Sequence, residues 1–342
     1  MNNIKKKIAI LGTGANGSSS AADITSAGFD VTLFDQWPAH VNAMNKDGLT
    51  INLPDTTNKI NVRAHHLCKL AELNTKFDYV FLYTKSYDTK WMTKLIKPYL
   101  NDDGLMVGFQ NAMTAQRISN IIGGNRTVGC VVELSSELFI PGIIQRDTPK
   151  SRTWFGIGAL TENMLPRLDE VKEILSAVGN VSIIDDIISA KWMKLIINAM
   201  CMGPVAMLGS NLYDGFKIPG MRELVMKIGT EALLVGQKGG HKIVPIFGLQ
   251  EAEINNSNNP IELMLDKLIK DIGPNARDAV LHDHLKGRYS EVDVINGLVA
   301  DMADQQGLNA PINSDIRAIT KKIHSGEISP SINNLKLFKK YL

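Results

Sequence analysis

The chain has 342 residues, with 37 Lys+Arg against 35 Asp+Glu and 44% hydrophobic residues, enough for two domains or one large one. A formal net charge of +2 supplies neither the basic field that nucleic acid needs nor an acidic tail, and 21% charged residues is an ordinary globular share, which argues against disorder. No run of about 18 apolar residues occurs, so a membrane-spanning helix is excluded.

The N-terminus, MNNIKKKIAILGTG, has a basic cluster and then a short apolar run that stops at glycine. A signal peptide needs a longer apolar stretch and a small-residue cleavage site, so the expectation is a lysine lead-in to a first strand at 8–11. A helix is predicted over 16–27, a strand at 31–34 and a helix at 39–46. Residues 48–64 alternate apolar and polar around Pro54-Asp55, the pattern of a hairpin at a sheet edge. Strands follow at 79–83, 105–109 and 127–132, with helices at 88–97 and 114–121 between them. This alternation means βαβ units and a parallel sheet. Residues 143–148 and 152–158 read as a second hairpin, and 181–184 as a last strand. From Ile187 the periodicity is helical, over 187–207, 219–238, 260–271, 291–306 and 314–323. The polar stretch 249–259 reads as a loop, and Pro260 suits the first position of a helix. The expected fold is therefore α/β: an N-terminal Rossmann-type parallel-sheet domain, 1–185, followed by an all-helical C-terminal domain, 186–342. Cys68, Cys130 and Cys201 are scattered and odd in number, which gives no disulfide framework and points to a reducing compartment, the cytoplasm.

Gly12-Thr13-Gly14-Ala15-Asn16-Gly17 is G-x-G-x-x-G, placed after a buried strand and opening a helix. The chemistry of dinucleotide binding asks for this order. Gly12 makes the tight turn, Gly14 lets backbone approach a pyrophosphate, and Gly17 lets helix pack on strand. The helix N-terminus then offers free N–H groups to the phosphates. Asp35 ends the second strand, eighteen residues after Gly17, where a carboxylate accepts from the adenosine ribose hydroxyls and repels a 2′-phosphate. NAD is the expected cofactor, with NADP the second choice. The plainer alternatives are an ordinary strand–helix turn and an Asp that merely starts a turn.

In the second half, Lys191, Lys194 and Asn198 share a narrow face at about 100° per residue. A protonated lysine there can donate to a carbonyl oxygen that becomes an alkoxide during hydride transfer. A lysine snorkelling along the surface would look the same. His282 and His284 flank Asp283, but histidines at i and i+2 do not share a helix face, so no metal site is read. Ser290-Glu291 before an apolar-periodic stretch reads as a helix start, with Glu291 near the helix N-terminus.

Together these segments resemble the ketopantoate reductase (2-dehydropantoate 2-reductase) family over nearly the whole chain. The resemblance rests on GTGANG, Thr84-Lys85, Gln110-Asn111-Ala112-Met113, Lys194-Leu195-Ile196-Ile197-Asn198, and the run from Gly287 to Gly297. It implies a Rossmann domain and a helical domain with the active site in the cleft, and reduction of a 2-oxo acid to a 2-hydroxy acid on the route to pantothenate. Carried over by position, Lys194 would give a proton to the ketone, Asn198 would bind substrate, and Asn111 would sit near nicotinamide and substrate. Lys85 would lie near the cofactor, Glu291 would contact the cofactor or the substrate hydroxyl, and Ser135 would give a cofactor backbone contact. Gly12, Gly14, Ala15, Asn16, Gly17 and Asp35 complete the cofactor set. Fold analogy adds a homodimer.

Three departures stand out. Ala112 replaces the glycine of the family's Asn-Gly. Ala279 stands where a carboxylate-binding serine would fall. Met202, or with a small gap Gly203, stands where a second asparagine would fall. Lost polar partners change the preferred substrate. The rival readings are a related dehydrogenase with another small oxo or hydroxy substrate, and a dinucleotide-binding sensor without turnover. Neither involves nucleic acid or a membrane.

Overall fold

The computed structural model describes residues 6–342, apart from the side chain of Ile272; of the lysine lead-in, Met1–Lys5 lie outside the described residues. The chain divides into two compact units, Met1–Ile188 and Ser189–Leu342.

The first unit contains strands β1 (Lys7–Leu11), β2 (Asp30–Asp35), β3 (Leu49–Asn52), β4 (Thr57–Ile60), β5 (Ala64–His66), β6 (Phe77–Leu82), β7 (Leu100–Gly108), β8 (Thr127–Glu133), β9 (Ser136–Ile140), β10 (Ile143–Arg146), β11 (Trp154–Ala159) and β12 (Asn180–Ile183). Its helices are α1 (Ala15–Ser26), α2 (Pro38–Asp47), α3 (Thr89–Ile96), α4 (Ala115–Ile122) and α5 (Leu168–Ser176). Among the described residues, the main sheet has eight strands in the order β12-β11-β8-β7-β6-β1-β2-β5. All its neighbours pair in parallel except β11 with β8.

The continuous apolar run of β1 is what a strand covered on both faces requires. Ile8 and Ile10 enter the core on one face, and Ala9 and Leu11 the core on the other. The chain runs outward from β1 through β2 to β5, then returns across β1 to β6. The carboxyl end of β1 is therefore the topological switch point, where open α/β sheets bind their ligands.

The two predicted hairpins fare differently. Residues 49–60 do pair as a hairpin, Leu49 opposite Ile60, at the edge of a second sheet of order β4-β3-β10-β9. The predicted pairing of 143–148 with 152–158 does not occur. β10 pairs antiparallel with β9 and parallel with β3, whereas β11 joins the main sheet. The cause is Arg146, 3% exposed, whose guanidinium donates to Thr148 O, Asp23 Oδ2, Thr153 Oγ1 and Val178 O. Those bonds fix 147–153 as a bridge between the sheets instead of a turn.

The second unit is helical, built from α6 (Ile187–Ala206, whose first two residues belong to the first unit), α7 (Leu212–Gly215), α8 (Met221–Lys238), α9 (Glu251–Asn255), α10 (Pro260–Ile272), α11 (Ala279–Leu285), α12 (Asn296–Gln306) and α13 (Pro311–His324). No described helix is long and apolar enough to cross a membrane. Helix α6 is apolar nearly all round, as a central helix must be. Trp192 on α6 donates to Ala232 O of α8, and Gly236 is bare because a Cβ there would lie 1.8 Å from the indole nitrogen. Asn296 Nδ2 donates to Ala199 O and to Asn313 Oδ1, and Asn313 in turn donates to Ile228 O and Glu231, which ties α6, α8, α12 and α13 together.

Two expectations are corrected here. The loop 249–259 contains α9, opened by a capping box between Gln250 and Glu253. The helix read over 291–306 is broken. Glu291 stands at the residue before a 3₁₀ turn, Val292–Val294, and α12 begins only at Asn296, because Ile295 (φ −111°, ψ −92°) is outside helical geometry.

Candidate active site

The glycine loop sits at the switch point, and its three glycines are glycine for three different reasons. Gly12 has φ +84°, in the left-handed region, and its N–H donates to Phe34 O. A Cβ there would meet Thr84 Cγ2 at 2.6 Å. A Cβ on Gly17 would lie 2.2 Å from Gly12 O, so its absence lets α1 close onto β1. Gly14 differs from both. Its backbone (φ −61°, ψ −164°) suits any residue, and a Cβ would meet no atom within 4 Å. Nothing within the described protein asks for glycine at that place. A ligand seated on the backbone would, and the N–H groups of Ala15, Asn16 and Gly17 open α1 beside it.

Asp35, 9% exposed, ends β2 beside this loop. Its Oδ2 accepts from Thr13 Oγ1 (3.1 Å) and its Oδ1 from Trp37 N (2.8 Å), so the carboxylate both braces the loop and shapes the turn after β2. His40, which the sequence reading passed over, holds the same loop from beneath. Its Nδ1 is 2.9 Å from Gly142 N, a donor, so Nδ1 accepts and Nε2 carries the hydrogen given to Thr13 O at 2.8 Å. Burial holds the His40 imidazole below its usual range, against the raising effect of the Asp35 charge, and the neutral ring fits both bonds. The buried imidazole thus links the glycine loop to the β9–β10 turn of the small sheet.

Ser135 lies in the β8–β9 turn, with its polar groups used locally. Its hydroxyl donates to Asp147 Oδ2, its N–H to Thr148 Oγ1, and its carbonyl accepts from Asp147 N. The neighbour Ser136, missed in the sequence, is the one that reaches the glycine loop, donating to Asn16 Oδ1 at 2.6 Å. A serine pair at a strand end gives no signal as to which hydroxyl faces the loop.

Lys85 and Asn111 follow β6, which pairs with β1, and β7, which pairs with β6 on its far side. Gln110, 5% exposed, staples the two loops by donating from Nε2 to Thr84 Oγ1 (3.2 Å) and Lys85 O (3.0 Å). Ala112 has φ +61° and is 4% exposed. The conformation that glycine takes freely is kept here at a cost of about 1–2 kcal/mol.

In the second unit, Lys191, Asn198, Lys194 and Cys201 lie within roughly 80° of arc on α6. Lys191 is 3% exposed and Asn198 1%, whereas Lys194 is half-buried with Nζ 4.8 Å from the centre of the Phe247 ring. The surface-lysine alternative therefore fails for Lys191. Burial pushes the Cys201 thiol up to about 12 against the pull of the Lys194 charge, with the Asp278 charge adding to the rise, so this thiol is no nucleophile at neutral pH. Glu291 is 4% exposed.

Of the departures, Gly203 has a packing reason. A Cβ there would lie 2.6 Å from Ile316 Cγ2 of α13. Met202 packs against the buried cluster of Ala206, Val280 and Leu281, and Ala279 is half-buried. Asn296, on α12, has no amide hydrogen left for a substrate, because both are used between helices. Just before Ala279, the Asp278 carboxyl caps α11 through Oδ1, which accepts from Val280 N and Leu281 N. Its burial, with the Asp283 charge adding, pushes it up to about 8 despite those bonds.

These pieces have a family precedent. The model of ketopantoate reductase PanE/ApbA matches residues 8–159, and that of the PanE/ApbA C-terminal region matches 186–324. The chain belongs to the ketopantoate reductase family. It is an oxidoreductase of that family. A 2-dehydropantoate 2-reductase of Pyrococcus horikoshii is 29% identical over 322 residues, covering 92% of this chain and 96% of the relative. One from Streptococcus pyogenes is 24% identical, covering 93% and 97%. Among solved structures, a PanE/ApbA family ketopantoate reductase from Ralstonia eutropha superposes with a TM-score of 0.77 at 22% identity, covering 94% of this chain and 99% of that one. A D-mandelate dehydrogenase with NADH and anilino(oxo)acetate superposes at 0.81 and 18% identity, again covering 94% and 99%. At those identities the structural likeness speaks for the fold.

Proposed function

We propose that the chain is an NADH-dependent reductase of a 2-oxo acid, and that its substrate carries a more apolar tail than ketopantoate. The observation that carries the cofactor half is the open space over Gly14, where neither backbone nor packing requires glycine. Gly12, Gly14, Ala15, Asn16 and Gly17 would hold the pyrophosphate and Asp35 the adenosine ribose, with Lys85, Asn111, Ser135 and Glu291 contacting the cofactor elsewhere. A bound nicotinamide supplies the hydride that reaches the ketone carbon. Lys194 gives its proton to the ketone oxygen as negative charge grows there, so the product is the 2-hydroxy acid. Asn198 and Asn111 orient the substrate, and Glu291 would contact the cofactor or the substrate hydroxyl. A sensor of dinucleotide needs neither Lys194 nor Glu291.

The substrate half rests on Met202 and Ala279. An unpaired polar group costs about 1–3 kcal/mol. Two lost partners on ketopantoate amount to roughly 30-fold to 10⁴-fold in kcat/KM. The packing of Met202 on Ala206, Val280 and Leu281 favours an apolar tail, and the D-mandelate dehydrogenase similar in fold has an aromatic 2-oxo ligand in the name of its complex. The test is a panel of 2-oxo acids, from ketopantoate to branched and aromatic ones, assayed with NADH and NADPH in parallel by cofactor absorbance. Ketopantoate at or above about 10⁵ M⁻¹s⁻¹ returns the plain family substrate; NADPH used as well as NADH removes the Asp35 argument. The assembly proposed by fold analogy is a homodimer, which light scattering of the purified chain checks.

A further inference from the structure

The segment between α8 and α9 runs along the first half of α6 and touches it at three places. His241 stacks on Trp192 with ring centres 4.7 Å apart, Lys242 N donates to Ser189 Oγ at 2.9 Å, and Phe247 lies under the Lys194 ammonium at 4.8 Å. The last contact sits on an unusual backbone. Phe247 has φ +61° and Gly248 φ +74°, and Leu249 N donates to Ile246 O across them. Two central left-handed residues closed by that bond make a turn of type I′, whose first central position belongs to Asn, Asp or Gly. A bulky aromatic there is a true outlier, because its Cβ crowds the backbone.

Burial alone does not require this choice. Ile246 next to it is already fully buried, and Asn, Asp or Gly would turn the chain without strain. What the turn achieves is the placement of a rigid ring face, 1% exposed, against the end of a long flexible side chain. A ring face attracts an ammonium and restricts its rotamers. We propose that Phe247 is a positioning residue for the proton donor: the strained turn Ile246–Leu249 presents its ring as a platform that fixes the Lys194 ammonium over α6. This rests on the reading of Lys194 as proton donor, and the experiment separates the two.

The variants are Phe247→Leu, which keeps apolar bulk and loses the ring face, and Phe247→Tyr, which keeps the face; Phe247→Met replaces Leu should that variant not fold. Two quantities are read. The first is steady-state kinetics with NADH and the best 2-oxo acid of the panel. The second is the rate at which trace acetic anhydride labels Lys194 in the unliganded protein, followed by peptide mass spectrometry. In Phe247→Leu, kcat falls about 5–30-fold with KM within about twofold, the size of a lost cation–ring contact. Labelling of Lys194 rises severalfold, and Tyr restores both. A Leu or Met variant with wild-type melting temperature, kcat within about twofold and unchanged labelling overturns the proposal, as does a folded Tyr variant no better than Leu. If Lys194→Ala itself keeps full kcat, the proton-donor reading fails, and the labelling still decides whether the ring holds the ammonium.

Discussion

Gly14→Ala separates binding from folding, because the structure gives this glycine no structural task. Its φ of −61° costs alanine nothing, and the added Cβ has no atom within 4 Å. The unfolded chain loses freedom on gaining a side chain, which stabilises by about 0.4–1 kcal/mol. Gly14 is also the N-cap of α1, where alanine is the poorer residue by a similar amount. The two effects oppose, so unliganded stability should move by less than about 1 kcal/mol, or less than about 4 °C in Tm. Binding should respond very differently. A methyl group in the pyrophosphate's place pushes the phosphates off the α1 N–H groups, and each charge-assisted bond is worth about 1.5–3 kcal/mol. Loss of two weakens NADH by roughly 10²–10⁴-fold. Fluorescence titration with NADH, beside thermal melts without it, reads both quantities. The matched control is Gly17→Ala, whose Cβ would lie 2.2 Å from Gly12 O and should lower Tm outright. Affinity within about threefold of wild type in Gly14→Ala would refute the reasoning, and so would a Tm loss as large as that of Gly17→Ala.

Asp35→Ala should lower the ratio of kcat/KM for NADH over NADPH by about tenfold or more, since the carboxylate no longer repels a 2′-phosphate; an unchanged ratio removes Asp35 from the ribose site. Lys194→Ala should cut kcat by about 10²–10⁴-fold, whereas Lys191→Ala, at a position 3% exposed, should act mainly on Tm. The reverse ranking in kcat would move the proton donor one turn along α6. Asp278 keeps its proton in the folded protein up to about pH 8, while the unfolded chain gives it up near the ordinary carboxylate value. The unfolded state then binds fewer protons across that interval, so this group makes stability fall as pH rises toward 8. Denaturant melts from pH 5 to 9 should show that fall in wild type and a shallower one in Asp278→Asn, which can still cap α11; parallel curves for the two proteins would count against the buried acid.

By itself the sequence determined the layer structure and the chemistry-bearing loops. The runs at 8–11 and 79–83 are apolar or aromatic at every step, and 31–34 at every step but Thr32, which marks strands covered on both faces, and glycine placement after the first of them marks the switch point. The family resemblance that the sequence carried was also legible, in motifs that are each short and contiguous although they are spread along the chain. Tertiary structure decided what depends on partners far apart. Strand pairing of β10 with β3 and β9 is set by where the Arg146 guanidinium is buried, and nothing local to 143–158 encodes that. The helix expected from Glu291 begins only at Asn296 because Ile295 is outside helical geometry, although the apolar spacing runs on through it. His40, Ser136 and Phe247 carry no motif, since each acts through hydrogen bonds or a ring contact made across the fold, and the motif that holds Gln110 does not say which loop its amide ties down. Local spacing fixes which face a side chain occupies, but only the folded chain fixes what stands opposite that face, and at Gly14 it leaves open space.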